Sequence, residues 1–404
     1  MTANASVRSM TQTKEAAATK VAAASSRMMF VDNLRIFLTI LVVLFHLAIT
    51  YGAEGSWFYT ERPVSEVASI TLTTFIGLCQ FFFMGLFFLI SGYFIPGSID
   101  RKGVGKYVKD RLVRLGIPLV LFFFLLSPIT EYFKAVTVYH NNPGTFWAFT
   151  LNYWRGGDYA SGPLWFVEVL LVFSLVYALG RVLMSRVTSS TAKASPTTAK
   201  KQPLTYAWIL AFILIVASLT YIVRIFSGIG EEWQHIQLAF MPQYVVMFSA
   251  GILAYRRGWL TEIPSGMSKV SRTLALPVML AMPVLMVVTG FVDGNPALAG
   301  GVNWQSAVVC IWEPIYCLTM SILIISTFQR RFNRQGTLGQ VMSKNAYTVY
   351  IIHPLVILPG AYLLRGLSID PLLKWALVSP MLVAMCFMVS HWLVRRIPMT
   401  EKVL

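Results

Sequence analysis

Arg35 and His46 stand eleven positions apart in the run DNLRIFLTILVVLFH of residues 32–46, which is apolar but for Thr39 over the ten residues between them. At 3.6 residues per turn, eleven positions make three turns plus about 20°, so on a helix both side chains share one face about 16 Å apart. Thr39 and Thr50 fall near the same stripe. An imidazole titrating near neutrality is the natural base for deprotonating a hydroxyl, and a guanidinium binds anions. Neither group is tolerated against lipid, so this face should look into a bundle or a watery cavity. Spacing alone serves a plainer arrangement equally well, with the histidine bonded between helices and the arginine reaching out to the interface.

Three more ionisable groups, Glu168, Glu313 and His353, interrupt apolar stretches. Glu168 is the first candidate to orient an imidazole, as the third member of a hydrolytic triad orients its base, and Glu313 is the second carboxylate candidate. His353 precedes Pro354 and is expected to bond a backbone carbonyl freed by that proline rather than to act chemically. His140, His235 and His391 receive no role. Cys79, Cys310, Cys317 and Cys386 all sit in apolar segments without ligand spacing, and neither an H-E-x-x-H nor a G-x-S-x-G motif occurs, so no metal and no serine elbow is expected. A covalent route through Ser91 is not preferred, because Ser91 belongs near the opposite end of its span from the level of His46.

What must position these residues is set by composition. Of 404 residues, 56% are hydrophobic and only 12% charged, about half the charge of a soluble domain. Apolar runs of about twenty residues match a hydrocarbon core of roughly 30 Å. Spans are expected near 33–51, 72–95, 112–130, 163–184, 204–223, 237–256, 272–291, 304–326, 346–366 and 371–394. The fold class is therefore all-α: a polytopic bundle of about ten transmembrane helices in the lipid bilayer. Of the 33 Lys and Arg, six fall in alternate loops (Arg62, Lys134, Arg155, Arg224, Arg365, Lys374) and, Arg35 apart, the rest in the other loops and the tails. Positive-inside asymmetry then puts both termini in the cytoplasm. The net charge of +16 becomes an orientation signal, and no nucleic acid is implied. His46 and Glu168 share the outer half, with Arg35 near the inner surface.

Residues 1–28, rich in Ala, Ser and Thr, are expected to be a disordered cytoplasmic tail, 186–203 a flexible basic cytoplasmic linker, and 396–404 a cytoplasmic C-terminal tail. The loop 131–162 is dense in aromatics, fitting interfacial anchoring or a platform for sugar rings. On these residues alone two functions stay open: a membrane enzyme, or a secondary transporter of ten helices with a proton-coupled Arg/His/Glu pathway.

Five segments carry a resemblance: Arg35-x10-His46, FFLISGYFI (87–95), the arginines of RLVR (Arg111, Arg114), GPLWFVEVLL (162–171) and YTVYIIHPLVI (347–357). In this order the chain resembles the acyltransferase 3 family, membrane enzymes that O-acylate surface and periplasmic carbohydrates, over about residues 29–395. The resemblance implies that His46 is the catalytic histidine with Arg35 its motif partner. It implies that Arg111 and Arg114 handle an acyl-CoA cosubstrate, acetyl-CoA or succinyl-CoA, with Arg101, Lys102 and Lys106 nearby and no bound cofactor. The acceptor is expected to be a carbohydrate or glycoconjugate at the outer face of the cytoplasmic membrane.

Overall fold

A computed structural model describes residues 28–188 and 202–403, apart from 63, 158, 262 and 399. All of the expected tail over 1–28 except Met28, and most of the 186–203 linker, therefore lie outside the described residues. The described residues contain ten helices long and apolar enough to cross a membrane: α1 (Met29–Thr50), α2 (Glu66–Lys102), α3 (Val104–Thr137), α4 (Gly162–Arg186), α5 (Tyr206–Phe226), α6 (Leu238–Arg257), α7 (Ser265–Val288), α8 (Trp304–Arg331), α9 (Thr337–Leu363) and α10 (Pro371–Arg396). Every expected span corresponds to one of them. Several helices overrun the apolar run, most clearly α9, which begins at Thr337 rather than near 346. Hydropathy marks only the length bathed in lipid, and helix continues beyond it.

The segment 131–162 is not a plain loop. It finishes α3 and then forms a helix over Phe146–Gly156, capped by the Thr145 side chain accepting from the Ala148 N–H. Tyr132 packs edge-on against Phe146 and Phe149, while Trp147 stays mostly exposed.

Two features of α2 shape the centre of the bundle. Its hydrogen-bond ladder breaks at Phe81–Phe82, and the Phe81 carbonyl is taken by the Gln243 side chain of α6 at 3.1 Å. Broken helices are tolerated at membrane depth where protein re-satisfies the backbone. Further along, α2 and α6 touch backbone to backbone. A Cβ on Gly92 would lie 2.2 Å from the Phe248 carbonyl oxygen, and one on Gly251 would lie 2.1 Å from that of Leu89. The glycine of the ISGYF motif is thus a contact of small residues between helices.

Candidate active site

α1 carries His46 one turn from its C-terminal end and Arg35 near its start. His46 lies in the wall of a cavity of about 560 Å³ that is also lined by Trp57, Trp165, His235, Phe240 and Tyr244, a size typical of small-molecule sites. Gln80 and Phe81 at the break in α2 line it too, and Gln80 donates to the Tyr244 hydroxyl at 3.0 Å.

The surroundings of His46 are specific. Its Nδ1 lies 2.9 Å from the Val42 carbonyl and 3.1 Å from Nε2 of His353. The other nitrogen of His353, Nδ1, lies 2.7 Å from the Tyr350 carbonyl. Tyr350 stands four residues before Pro354, whose missing N–H leaves that carbonyl without its ladder donor. The carbonyl bond expected of His353 is present, and a second contact joins it. One set of tautomers satisfies all three contacts: His353 donates from Nδ1 to Tyr350, and its bare Nε2 accepts from Nδ1–H of His46, which Val42 shares. His46 then keeps Nε2 as a lone-pair nitrogen with no partner among the described residues.

Trp57 stacks on His46 with ring centroids 4.0 Å apart. It is carried by the segment after α1, which is pinned by the Glu61 N–H donating to the Thr50 carbonyl (2.8 Å) and the Glu54 N–H to the Thr73 hydroxyl (2.9 Å). Lys374 of α10 closes the arrangement with an ion pair to Glu61 at 2.6 Å. Partial burial pushes the Glu61 carboxyl above its ordinary range, against the opposing pull of Lys374. Burial, with the Glu61 charge nearby, pushes the Tyr59 phenol up to about 12.

α9 ties the motifs together at three-residue steps. The Tyr347 hydroxyl donates to the Arg114 carbonyl at 2.8 Å, the Tyr350 hydroxyl donates to the Pro163 carbonyl, and His353 meets His46. Pro163 follows Gly162, whose φ of +47° favours glycine and whose absent side chain leaves room for Phe122 and Phe58.

The remaining expected residues are placed elsewhere. Glu168 is not beside His46: its carboxylate meets Nε2 of His235 at 3.1 Å, and the pair is partly exposed. His235 is held there by left-handed backbone at Gln234 and His235 (φ 44° and 63°), a turn that sequence periodicity does not signal. Glu313 is not in the cavity either. It pairs with Arg224 at 2.5 Å, both side chains fully buried. Arg224, expected in a loop, belongs to the last turn of α5. Arg35 lies at the other end of the bundle, 3.6 Å from Asp32 and stacked over Phe94. Arg111 lies over the Tyr107 ring, in a stretch where α3 passes into a π-helical turn over Leu112–Gly116. Such turns often mark functional sites. None of these three arginines lines the cavity.

The sequence model of the acyltransferase domain of the acyltransferase 3 family matches residues 29–391. Among curated proteins, the chain is similar to "Glucans biosynthesis protein C" of Salmonella heidelberg, 23% identical over 84% of this chain and 85% of that protein. The protein of the same name from Salmonella schwarzengrund is 24% identical over 83% of each, and that of Salmonella typhi is 23% identical over 84% and 85%. No solved structure matches. The transporter reading is not favoured. The chain belongs to the acyltransferase 3 family and is a multi-pass membrane O-acyltransferase.

Proposed function

We propose that the protein transfers an acetyl or succinyl group from cytoplasmic acyl-CoA to a hydroxyl of a carbohydrate or glycoconjugate at the outer face of the cytoplasmic membrane, with His46 as the base. The observation that carries this reading is His46 in the wall of the cavity, held through Nδ1 by Val42 and His353 so that Nε2 is left for substrate. As the hydroxyl oxygen attacks the thioester carbonyl, Nε2 takes its proton. The C–O bond forms, the C–S bond breaks, and the CoA thiolate leaves with that proton. A positioned base of this kind contributes roughly 10²–10⁴ in rate.

Arg35, Arg111 and Arg114 sit at the opposite end of α1 and α3 from the cavity, and guanidinium groups suit the phosphates of CoA. The aromatic walls of the cavity suit sugar rings. A glucan is the first acceptor to try, given the name the relatives carry. The acyltransferase unit is taken as residues 29–395, with both termini and the 186–203 linker cytoplasmic.

Membranes supplied with radiolabelled acetyl-CoA or succinyl-CoA and extracted envelope glycans test the reading. Label should pass to the glycan with wild type and not with His46→Ala. Equal incorporation by both would remove His46 as the base, and incorporation only when donor is supplied to the outer face would reverse the sidedness.

A further inference from the structure

We infer that His353 is the positioning residue of the reaction: by accepting a hydrogen bond from Nδ1–H of His46 it fixes the tautomer that leaves Nε2 as the base. This rests on the reading of His46 as that base, and the two can fail separately.

A free neutral imidazole exchanges its proton between two nitrogens, and only one of the two forms presents a lone pair to the cavity. Two acceptors face Nδ1 of His46. The Val42 carbonyl, at 2.9 Å, is the i−4 carbonyl of the same helix and already serves its ladder. His353 Nε2, at 3.1 Å, has no other partner among the described residues. His353 is itself fixed: its exposure is 0%, and its Nδ1 is committed to the Tyr350 carbonyl at 2.7 Å, so its Nε2 has to be the acceptor. Pro354 is what makes that carbonyl available. Replacing Pro354 by any residue with an N–H would return the carbonyl to the helix and loosen the ring that holds the base.

The partner is neutral, where a hydrolytic triad uses a carboxylate. At full burial in a membrane helix an unpaired carboxylate is costly. An imidazole supplies the same acceptor with no charge before the reaction starts. When Nε2 of His46 takes the substrate proton, the cation is shared across the Nδ1–H···Nε2 bond, and it disappears when that proton goes to the departing thiolate.

The direct test uses the full chain in nanodiscs with ¹⁵N-labelled histidine. The protein has five histidines, so the His46 resonances follow from their absence in His46→Gln. We expect wild-type His46 to carry its proton on Nδ1, and His353→Leu to shift it toward Nε2. His353→Gln, whose side-chain oxygen reaches the place of Nε2, should keep the wild-type form.

Kinetics give the second readout. His353→Leu should lower kcat roughly 10–100-fold, less than loss of the base itself, with the KM of donor and acceptor unchanged, and His353→Gln should recover most of it. A wild-type His46 protonated on Nε2 overturns the proposal, as does a Leu variant with wild-type kcat or a Gln variant no better than Leu. Should the Leu variant not fold, the wild-type tautomer decides alone. Activity surviving His46→Ala would remove the base but leave the tautomer result standing.

Discussion

Arg224–Glu313 and His46–His353 are two of the polar pairs that join helices of this bundle, and they differ in one respect that separates chemistry from architecture. Arg224 and Glu313 join α5 to α8 as a charged pair, 2.5 Å apart with both side chains at 0% exposure. His46 and His353 join α1 to α9 as a neutral pair, 3.1 Å apart, and one of the two borders the cavity. A sealed ion pair has no ready exchange with solvent or substrate, because either charge left alone in that environment is heavily penalised. The neutral pair can accept a proton and give it back. In a membrane, an ionisable residue is a functional candidate by default. Here the useful distinction is whether the pair has an open side.

The largest expected effect breaks the open pair. His46→Ala should cost at least roughly 10²–10⁴ in kcat while moving the thermal unfolding midpoint little. A large loss of stability with the activity per folded molecule intact would turn the pair into a structural one. The sealed pair should behave in the opposite way. Arg224→Leu strands a buried carboxylate and should destabilise the fold by about 3–5 kcal/mol, whereas Arg224→Leu combined with Glu313→Leu should recover most of that loss. Unfolding of the purified variants measures both. If the double variant folds but is inactive, Glu313 takes part in the reaction after all.

This contrast could be read only partly from sequence. The ten spans were legible because each needs an apolar length that nothing else in the chain requires. The face shared by Arg35 and His46 was legible because helical periodicity is local. The contact between His46 and His353 joins residues 307 positions apart, and no period reaches that far. Only the local half of His353, its bond beside Pro354, could be anticipated. Arg224 was assigned to a loop because a lone arginine at the end of an apolar run is what an interfacial residue looks like; its partner lies 89 positions on. His235 reaches Glu168 only because two non-glycine residues adopt left-handed backbone, which composition does not announce.

Support for the cavity comes from the crossing of α2 and α6, which carry Gln80 and Tyr244. Gly251→Ala would drive a methyl into the Leu89 carbonyl and, as overpacking, should cost about 1–3 kcal/mol, with activity falling in step with stability as the cavity wall shifts. A stable variant of undiminished activity would mean that the crossing does not position the site. A smaller effect belongs to the other end of the molecule. Arg111→Gln and Arg114→Gln should each raise the KM for acyl-CoA by roughly 3–10-fold with kcat nearly unchanged, since charge-assisted bonds to phosphate give uniform binding rather than transition-state stabilisation. A fall in kcat at unchanged KM would move these arginines from holding the donor to acting on it.

The smallest expected effect concerns Glu168, the carboxylate first expected to orient His46. Its partner is His235, the contact is partly exposed at 22% and 26%, and a pair with this access to water contributes about 0–1 kcal/mol. Glu168→Gln retains an oxygen that can accept from His235, so kcat should stay within about three-fold of wild type, while Glu168→Ala should release His235 from the cavity wall and raise the KM for the acceptor. That division follows from position, since His235 lines the cavity and Glu168 stands behind it. A hundred-fold fall in kcat for Glu168→Gln would reverse the comparison. It would mean that substrate draws the carboxylate away from His235 and onto the imidazole, and that the base works against a charged partner instead of a neutral one.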